Sequence, residues 1–368
     1  MKTYRGIRYA RADRFALPQL EPPLSSLDNL QTDIKVCPQN PCRLDPIVGR
    51  WDDDEPQSED CLRLSIHTPS TSGQMPVLVW IHGGAYLTGS GLYSKYDPTT
   101  LSEMGQIVVV NISYRLASFG FLYDPENMPE NLGIADQVCA LRWVNQNIHL
   151  FGGNPDDVTL LGQSAGGYSI LHHIANLQQP LFSKAIITSA PFSKTSKRLM
   201  RRNTQLWLKG LGKDPKTCSV HEMLQAQQTV AQKVIGGMPF SPLCDDILAP
   251  RNIPPQLKAV KLWCQQDDAL AFVPLPWLCK PVTNLLFLRP MKHYAQFLQR
   301  RGVQTSFAVR TWRHGHPPFR AIHCMDLPLI FGNYDIWKNA PFLHGVDEQE
   351  YQQMATQIRQ EIIQFVKQ

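Results

Sequence analysis

The length, composition and charge of the chain exclude several classes of protein. Its 368 residues, 43% of them hydrophobic, suffice for one large domain or two ordinary ones with a sizeable core, which excludes a disordered chain. The net charge of +5 comes from scattered Lys and Arg, and short clusters such as 197–202 lack the aromatic or glycine-rich patterns of nucleic-acid recognition, so we expect no nucleic-acid partner. The longest apolar runs, such as 77–81, are strand-sized, so no membrane span is predicted.

The N-terminus and the cysteines indicate a reducing compartment. Residues 1–15 contain neither an apolar signal core nor a cleavage-site pattern, which favours a cytoplasmic location. The nine cysteines are spread along the chain without a C-x-x-C pair, so neither a disulfide scaffold nor a structural zinc site is predicted. We expect mostly buried, reduced thiols, no metal and no cofactor.

The first half of the chain alternates predicted strands and helices. Residues 77–81 and 107–114 are predicted strands, and a helix is predicted over 133–148 because its apolar residues recur at helical spacing. A strand at 158–161 and a helix at 166–177 follow. Strands separated by helices of this length are typical of an α/β fold, a central and mostly parallel twisted sheet with helices on both faces.

The second half of the chain continues the same fold class. After a strand at 184–189, helical insertions are predicted around 192–256 and 274–300. Residues 305–312 are a predicted late strand, and 350–366 a closing amphipathic helix. No clean domain boundary is visible, so we expect the whole chain to form a single domain.

A cramped serine turn lies between the strand at 158–161 and the following helix. Gly162-Gln163-Ser164-Ala165-Gly166 fits the pattern G-x-S-x-G in its strand–turn–helix setting. In that setting the serine has a strained backbone, so the residues two positions away on each side must be small. The helix N-terminus that follows favours a developing negative charge. The pattern therefore predicts that Ser164 is a nucleophile rather than part of an ordinary glycine-rich turn.

A second glycine-rich loop follows the strand at 77–81. The stretch His82-Gly83-Gly84-Ala85 offers successive unhindered backbone N–H groups, as an oxyanion hole requires. A phosphate-binding loop is disfavoured because no G-x-G-x-x-G is present and no Lys-Ser/Thr pair follows the glycines.

Long ordered stretches of the sequence resemble the type-B carboxylesterase/lipase family, which includes the cholinesterases and the bacterial p-nitrobenzyl esterases. The resemblance lies in "YRGIRYA" (4–10), "SEDCLRLSIHTP" (58–69), "VNISYRLASFGFL" (110–122), the nucleophile region 131–167 and "AIHCMDLPLIFGN" (321–333). It implies an α/β-hydrolase fold, and the shorter chain implies that its helical lid region is reduced. It also implies a serine carboxylesterase that forms an acyl-serine intermediate and acts on a small-molecule ester.

The resemblance also implies the roles of individual residues. Ser164 is the implied nucleophile and His323 the general acid and base, with an acidic residue between them in the sequence as the orienter of the imidazole. The implied oxyanion donors are the backbone N–H groups of Gly84, Ala85 and Ala165. His314 and His316 are the rivals of His323, but only His323 lies in a family-like segment.

The resemblance places the acid of the triad in 258–273, where the family carries it in a turn after a strand, and counting back from Phe272 puts Asp268 where the family has glutamate. Asp267 is the immediate rival, since a slip of one residue exchanges the two. The pair Asp245-Asp246 resembles a different family segment, and Asp326 is too close to His323 in sequence to be preferred.

The sequence also departs from the family pattern. Gln163 stands where the family usually has glutamate, and Cys324 where it has glycine. Cys37 and Cys61 match positions that are disulfide-linked in secreted relatives, and we expect them reduced here. The segment between the acid of the triad and the histidine is shorter in this chain than in the family. This difference predicts an open site for short to medium acyl chains.

Several questions stay open at the level of sequence. A non-catalytic relative that acts as a binding or interaction protein is the alternative function. Tyr86, Phe119, Trp263 and Trp277 line either an acyl or alcohol pocket or the ordinary core. No sequence pattern indicates the oligomeric state or the natural substrate.

Overall fold

A computed structural model describes the whole chain except residues 29, 52–54, 178, 193–194, 235–237, 245–246, 274, 312–319 and 333. Within the described residues, the strands are β1 (Lys2–Arg8), β2 (Ala10–Arg11), β3 (Gln19–Leu20), β4 (Arg63–Thr68), β5 (Met75–Ile81), β6 (Val108–Ile112), β7 (Gly153–Gln163), β8 (Lys184–Thr188), β9 (Ala259–Gln265) and β10 (Gln304–Arg310). The α-helices are α1 (Asp45–Val48), α2 (Thr99–Gly105), α3 (Ala117–Gly120), α4 (Leu132–Asn147), α5 (Ala165–Asn176), α6 (Lys197–Leu211), α7 (Val220–Lys233), α8 (Cys279–Thr283), α9 (Arg289–Arg300), α10 (Asp326–Phe331), α11 (Tyr334–Trp337) and α12 (Glu348–Val366).

The centre of the molecule is one mixed sheet. In the described part of the chain its eight strands lie in the order β1-β4-β6-β5-β7-β8-β9-β10. The pairs β1/β4 and β4/β6 are antiparallel, and every later pair is parallel. The central parallel strands β5 and β6 are apolar and mostly buried on both faces, as covered parallel strands must be, whereas the edge strand β10 is largely exposed. The predicted fold class, a mostly parallel α/β sheet, is confirmed.

The two faces of the sheet belong to two separate cores, as β5 illustrates. Because side chains alternate along a strand, Val77 and Val79 point into the core shared with α4 and α5, while Leu78 and Trp80 point into the core shared with α12. Helices therefore cover both faces, which keeps the strand ends as the accessible part of the sheet. The helices α6 and α7 fall within the predicted insertion 192–256, and α8 and α9 within 274–300.

A buried ion pair fixes the loop that follows β6. The Arg115 guanidinium donates to both carboxylate oxygens of Asp136 on α4, at 2.7 and 2.8 Å, and the Arg115 backbone N–H donates to the same carboxylate at 3.0 Å. Two residues further on, the N–H of Ala117 donates to the Tyr86 carbonyl at 2.7 Å. The pair thus holds the loop against the segment that follows β5.

The register of the parallel strands brings four chain segments to one edge. Ile81 pairs with Gly162, Gln163 with Thr188, and Thr188 with Trp263, so β5, β7, β8 and β9 end close together. Ligand sites of open α/β sheets lie at this carboxyl edge. In the described residues no helix is both long and apolar enough to span a bilayer.

Candidate active site

Ser164 lies at the sharp turn between β7 and α5 and is 9% exposed. Its φ of 56° and ψ of −122° are strained for a residue with a side chain. A Cβ on Gly166 would lie 1.9 Å from the Ile81 carbonyl oxygen, and one on Gly162 would lie 2.6 Å from Gly166. The two glycines of the motif are therefore required by close backbone approach, as the sequence pattern predicts.

The loop after β5 turns towards the same point. Gly84 has φ +100°, and a Cβ there would lie 2.0 Å from the Thr88 carbonyl oxygen, so only glycine fits. Its carbonyl accepts from the N–H of Leu87 at 2.9 Å. In the described part of the chain, no backbone hydrogen bond uses the N–H of Gly84, Ala85 or Ala165.

Tyr86 and His82 brace that loop. The Tyr86 hydroxyl donates to the Ala165 carbonyl at 2.8 Å and lies 3.0 Å from Ser169 Oγ, which ties the loop to α5. The His82 ring donates from Nδ1 to the Gly83 carbonyl at 2.8 Å, and its ring stacks on Tyr114 at 4.4 Å. Burial lowers the pKa of His82 to about 4, so it is neutral here and adds no charge beside the loop.

His323 and Asp268 form a fully buried pair at the same edge. His323 Nδ1 lies 2.7 Å from Asp268 Oδ1. The other carboxylate oxygen of Asp268 accepts from Ser189 Oγ and from the Gln265 backbone N–H, each at 2.9 Å. Because the carboxylate accepts, Nδ1 of His323 carries the proton and Nε2 has the free lone pair.

The rival acids lie elsewhere or outside the described residues. The backbone of Asp267 bridges to Ile322 and its N–H donates to the Ala321 carbonyl, so this residue joins the histidine loop to β9 through its backbone. Asp326 accepts from the Trp263 indole N–H at 2.9 Å, and burial raises the pKa of its carboxyl. Asp245 and Asp246 lie outside the described residues, and so do His314 and His316.

Gln163 contacts the Nε2 side of His323, opposite the side bound to Asp268. Its Nε2 lies 3.2 Å from His323 Nε2 and 3.4 Å from Cys324 Sγ. Since His323 Nε2 has the lone pair, the Gln163 amide donates to it. Among the described residues, no side chain forms a hydrogen bond with Ser164 Oγ.

Aromatic rings surround the histidine. The Phe272 ring centroid lies 4.9 Å from that of His323, and the Phe287 centroid 5.6 Å away. Tyr86, Phe119 and Trp263 are buried in the core, whereas Trp277 is 71% exposed. Three of the four aromatic residues considered from sequence are therefore core residues.

Sequence reasoning missed Ser189 and Phe287. Ser189 follows directly after β8 at the carboxyl edge, and that position was the available signal. Phe287 lies in a π-helical turn, Asn284–Leu288, between α8 and α9. No local sequence pattern reveals where this turn lies relative to the site. Both depend on contacts between distant parts of the chain.

The sheet, the serine turn and the paired histidine and aspartate define a protein of the α/β-hydrolase fold. A family model described as "Carboxylesterase family" matches residues 1–258, which include Ser164 but end before Asp268. The "Probable N-octanoylanthranilate hydrolase AqdA2" of Rhodococcus erythropolis is 35% identical over 409 residues, which cover 99% of this chain and 88% of that protein. The "Para-nitrobenzyl esterase" of Bacillus subtilis is 32% identical, over 90% of this chain and 79% of its own. A solved structure of a PNB esterase superposes with a TM-score of 0.83 at 27% identity, over 99% of this chain and 86% of that one.

The chain belongs to the carboxylesterase family. The predicted family resemblance and the predicted α/β-hydrolase fold are both confirmed by these matches. Family membership supports a carboxylic ester hydrolase acting on small esters.

Proposed function

We propose that the protein is a serine esterase that cleaves carboxylic esters through an acyl-serine intermediate. Ser164 Oγ attacks the ester carbonyl while His323 Nε2 takes the hydroxyl proton. The carbonyl oxygen becomes an anion that accepts from the backbone N–H groups of Gly84, Ala85 and Ala165. When the C–O bond breaks, His323 returns the proton to the leaving alcohol. In the second half of the reaction, water attacks the acyl-serine while His323 takes its proton. The bond to Ser164 Oγ then breaks, His323 returns the proton to the serine, and the acid is released.

The observation that carries this proposal is the 2.7 Å contact between His323 Nδ1 and Asp268 Oδ1 at the edge where Ser164 lies. A carboxylate in this position fixes the tautomer that leaves Nε2 as a base and stabilises the imidazolium that forms. The strained turn at Ser164 and the backbone N–H groups of Gly84, Ala85 and Ala165, which no backbone hydrogen bond uses in the described part of the chain, support the remaining parts of an acyl-transfer site.

We further propose that the site accepts short to medium acyl chains. The relative named for an octanoyl substrate supports a medium chain. The shortened segment between Asp268 and His323 supports an open mouth. The alternative, a non-catalytic binding protein, is disfavoured because such a protein needs neither the strained serine nor the oriented histidine.

Labelling with a fluorophosphonate probe tests the proposal. Wild-type protein should be labelled at Ser164 and should hydrolyse p-nitrophenyl acetate. Ser164→Ala should lose the label and several powers of ten in kcat without a change in folding. Ser219→Ala, at a helix cap on the surface, is the control and should behave as wild type. Absence of labelling in a folded wild-type protein would favour the non-catalytic alternative.

Acyl selectivity needs a second measurement. A series of p-nitrophenyl esters of increasing acyl length should give its highest kcat/KM at short to medium chains. A steady rise towards the longest chains would contradict the proposed range while leaving the serine mechanism intact.

A further inference from the structure

Exposed apolar side chains are concentrated in one short segment. Of the ten large hydrophobic residues that are exposed in the described part of the chain, four lie between residues 272 and 285. We call this set the rim; its members are Phe272, Leu275, Trp277 and Leu285. Trp277 is 71% and Leu285 65% exposed, far more than scattered surface hydrophobics need.

The rim adjoins the carboxyl edge of the sheet, where His323 lies. Phe272 is half exposed, yet its ring lies 4.9 Å from the ring of His323. Leu285 lies in the π-helical turn that also contains Phe287, whose ring is 5.6 Å from the same histidine. The segment therefore extends from His323 to the surface.

The stretch of sequence that carries the rim contains basic residues but no acidic ones. Residues 269–325 contain eight Lys and Arg and no Asp or Glu, although acidic residues are frequent elsewhere in the chain. Lys280, Arg289 and Lys292 are exposed on the helical run that carries Leu285. Within the described residues, none of these three has an ion-pair partner.

We propose that the rim docks on an anionic phospholipid bilayer. Tryptophan and leucine with flanking Lys and Arg are the composition of helices that lie in a membrane interface. The apolar side chains enter the headgroup region while the cations face lipid phosphates. The contact is peripheral, and it turns the mouth of the site towards the lipid.

The charge and composition of the surface disfavour other occupants. A second copy docking through the same face would bring like charges together across a symmetric interface. Single-stranded nucleic acid would use stacking aromatics, but Leu275 and Leu285 provide no stacking surface. An anionic bilayer matches both the apolar side chains and the cations at once.

Vesicle co-sedimentation tests the proposal with the purified protein. Vesicles of equimolar phosphatidylcholine and phosphatidylglycerol should bind the protein, pure phosphatidylcholine vesicles should bind it much less, and added salt should weaken the binding. Lys280→Gln and Lys292→Gln should each reduce the partition coefficient by about fivefold. Trp277→Ser and Leu285→Ser should each reduce it by about tenfold or more. Unchanged thermal unfolding of each variant shows that it folds.

A matched control lies on α6, where exposed Leu199 also has basic neighbours. Leu199→Ser and Arg201→Gln should leave vesicle binding unchanged. Three outcomes would each overturn the proposal. The protein could bind neutral and anionic vesicles equally, or only the control variants could lose binding. The protein could also self-associate in a way that the rim variants abolish.

The docking proposal can fail separately from the proposed function. Ser164→Ala should bind vesicles as wild type does, since docking does not need the nucleophile. If the wild-type protein hydrolyses esters but does not bind anionic vesicles, the docking proposal fails and the proposed function stands.

Discussion

Backbone strain is concentrated around the candidate site. Of the ten non-glycine residues with positive φ in the described chain, five belong to it: Ala85, Tyr86, Ser164, Ser189 and Cys324. Each such residue costs of order 1 kcal/mol or more, and it persists only where its surroundings fix it. Cys324 has φ +72° where the resembling family has glycine, so this departure adds strain next to the histidine. The strained residues therefore lie in the serine turn, in the loop after β5 and beside His323.

The two adjacent aspartates allow a direct comparison at residue scale. Asp268→Asn should lower kcat by ~10⁴, the order found for the equivalent change in a serine-protease triad, because an amide N–H facing Nδ1 imposes the wrong tautomer. Asp267→Asn should change kcat little, since Asp267 contacts the histidine loop through its backbone. Steady-state kinetics on a p-nitrophenyl ester checks both variants. A larger loss in Asp267→Asn would show that the acid is misassigned.

Gln163 competes with Ser164 for the lone pair on His323 Nε2, because its amide donates to that atom at 3.2 Å. In Gln163→Glu, a carboxylate replaces the donor and favours the imidazolium form of His323. Since the base must be neutral to take the serine proton, the acid limb of the kcat/KM profile should move to higher pH by about one unit or more.

Gln163→Met is the matched control for that charge effect. It removes the donor at similar size and adds no charge, so the acid limb should move much less than in Gln163→Glu. Equal displacement in both variants would mean that the loss of the amide donor, rather than the carboxylate charge, sets the profile.

At the scale of elements, α4 shows what helical spacing reveals and what it leaves out. The apolar positions predict a helix over 133–148, and the helix is observed over Leu132–Asn147. The same pattern gives Asp136 no special status, although its carboxylate is fully buried against Arg115. The partner comes from the loop after β6, so periodicity within α4 cannot reveal it. Local pattern thus predicts the element but not the polar contact that docks it.

The free energy of unfolding should respond strongly to the loss of that contact. Asp136→Ala leaves the Arg115 guanidinium buried without its carboxylate, and breaking a buried pair in this way costs about 3–5 kcal/mol. Urea denaturation monitored by circular dichroism measures the loss. Because Arg115 also positions the loop against the segment of Tyr86, activity should fall as well.

An exposed ion pair provides the comparison for Asp136→Ala. Asp335 and Lys338 lie 2.8 Å apart on the surface, with the Asp335 side chain 90% exposed. Asp335→Ala should change the free energy of unfolding by about 0–1 kcal/mol. A similar loss in both variants would show that burial of the Arg115–Asp136 pair is not what makes it important.

At the scale of the whole molecule, chain order predicts parallel strands but not their arrangement. The sequence indicates strands near 77–81, 107–114 and 158–161, and all three are observed. It does not reveal that β5 lies between β6 and β7, because neighbours in a sheet are set by crossover connections. Nor does it show how His323 reaches the site, which depends on the bridge between Asp267 and Ile322. The motif residues could be predicted from the sequence, but the contacts with distant segments that hold them in place could not.

Buried histidines, among them His82, His172 and His173, should make the folded molecule sensitive to acid. Burial lowers the pKa of His82 and His172 to about 4 and that of His173 to about 3, against 6.5 as their ordinary value. The unfolded chain therefore binds more protons below pH 6.5, so stability is full above that value and is lost as pH falls towards about 4. Each histidine contributes up to about 1.4 kcal/mol per pH unit to that slope. The free energy of unfolding, measured by urea denaturation at several pH values in this range, should change less steeply with pH in His173→Gln than in wild type. His221→Gln, at an exposed position, should leave this pH dependence unchanged. An identical slope in wild type and His173→Gln would contradict the assignment of a neutral buried imidazole.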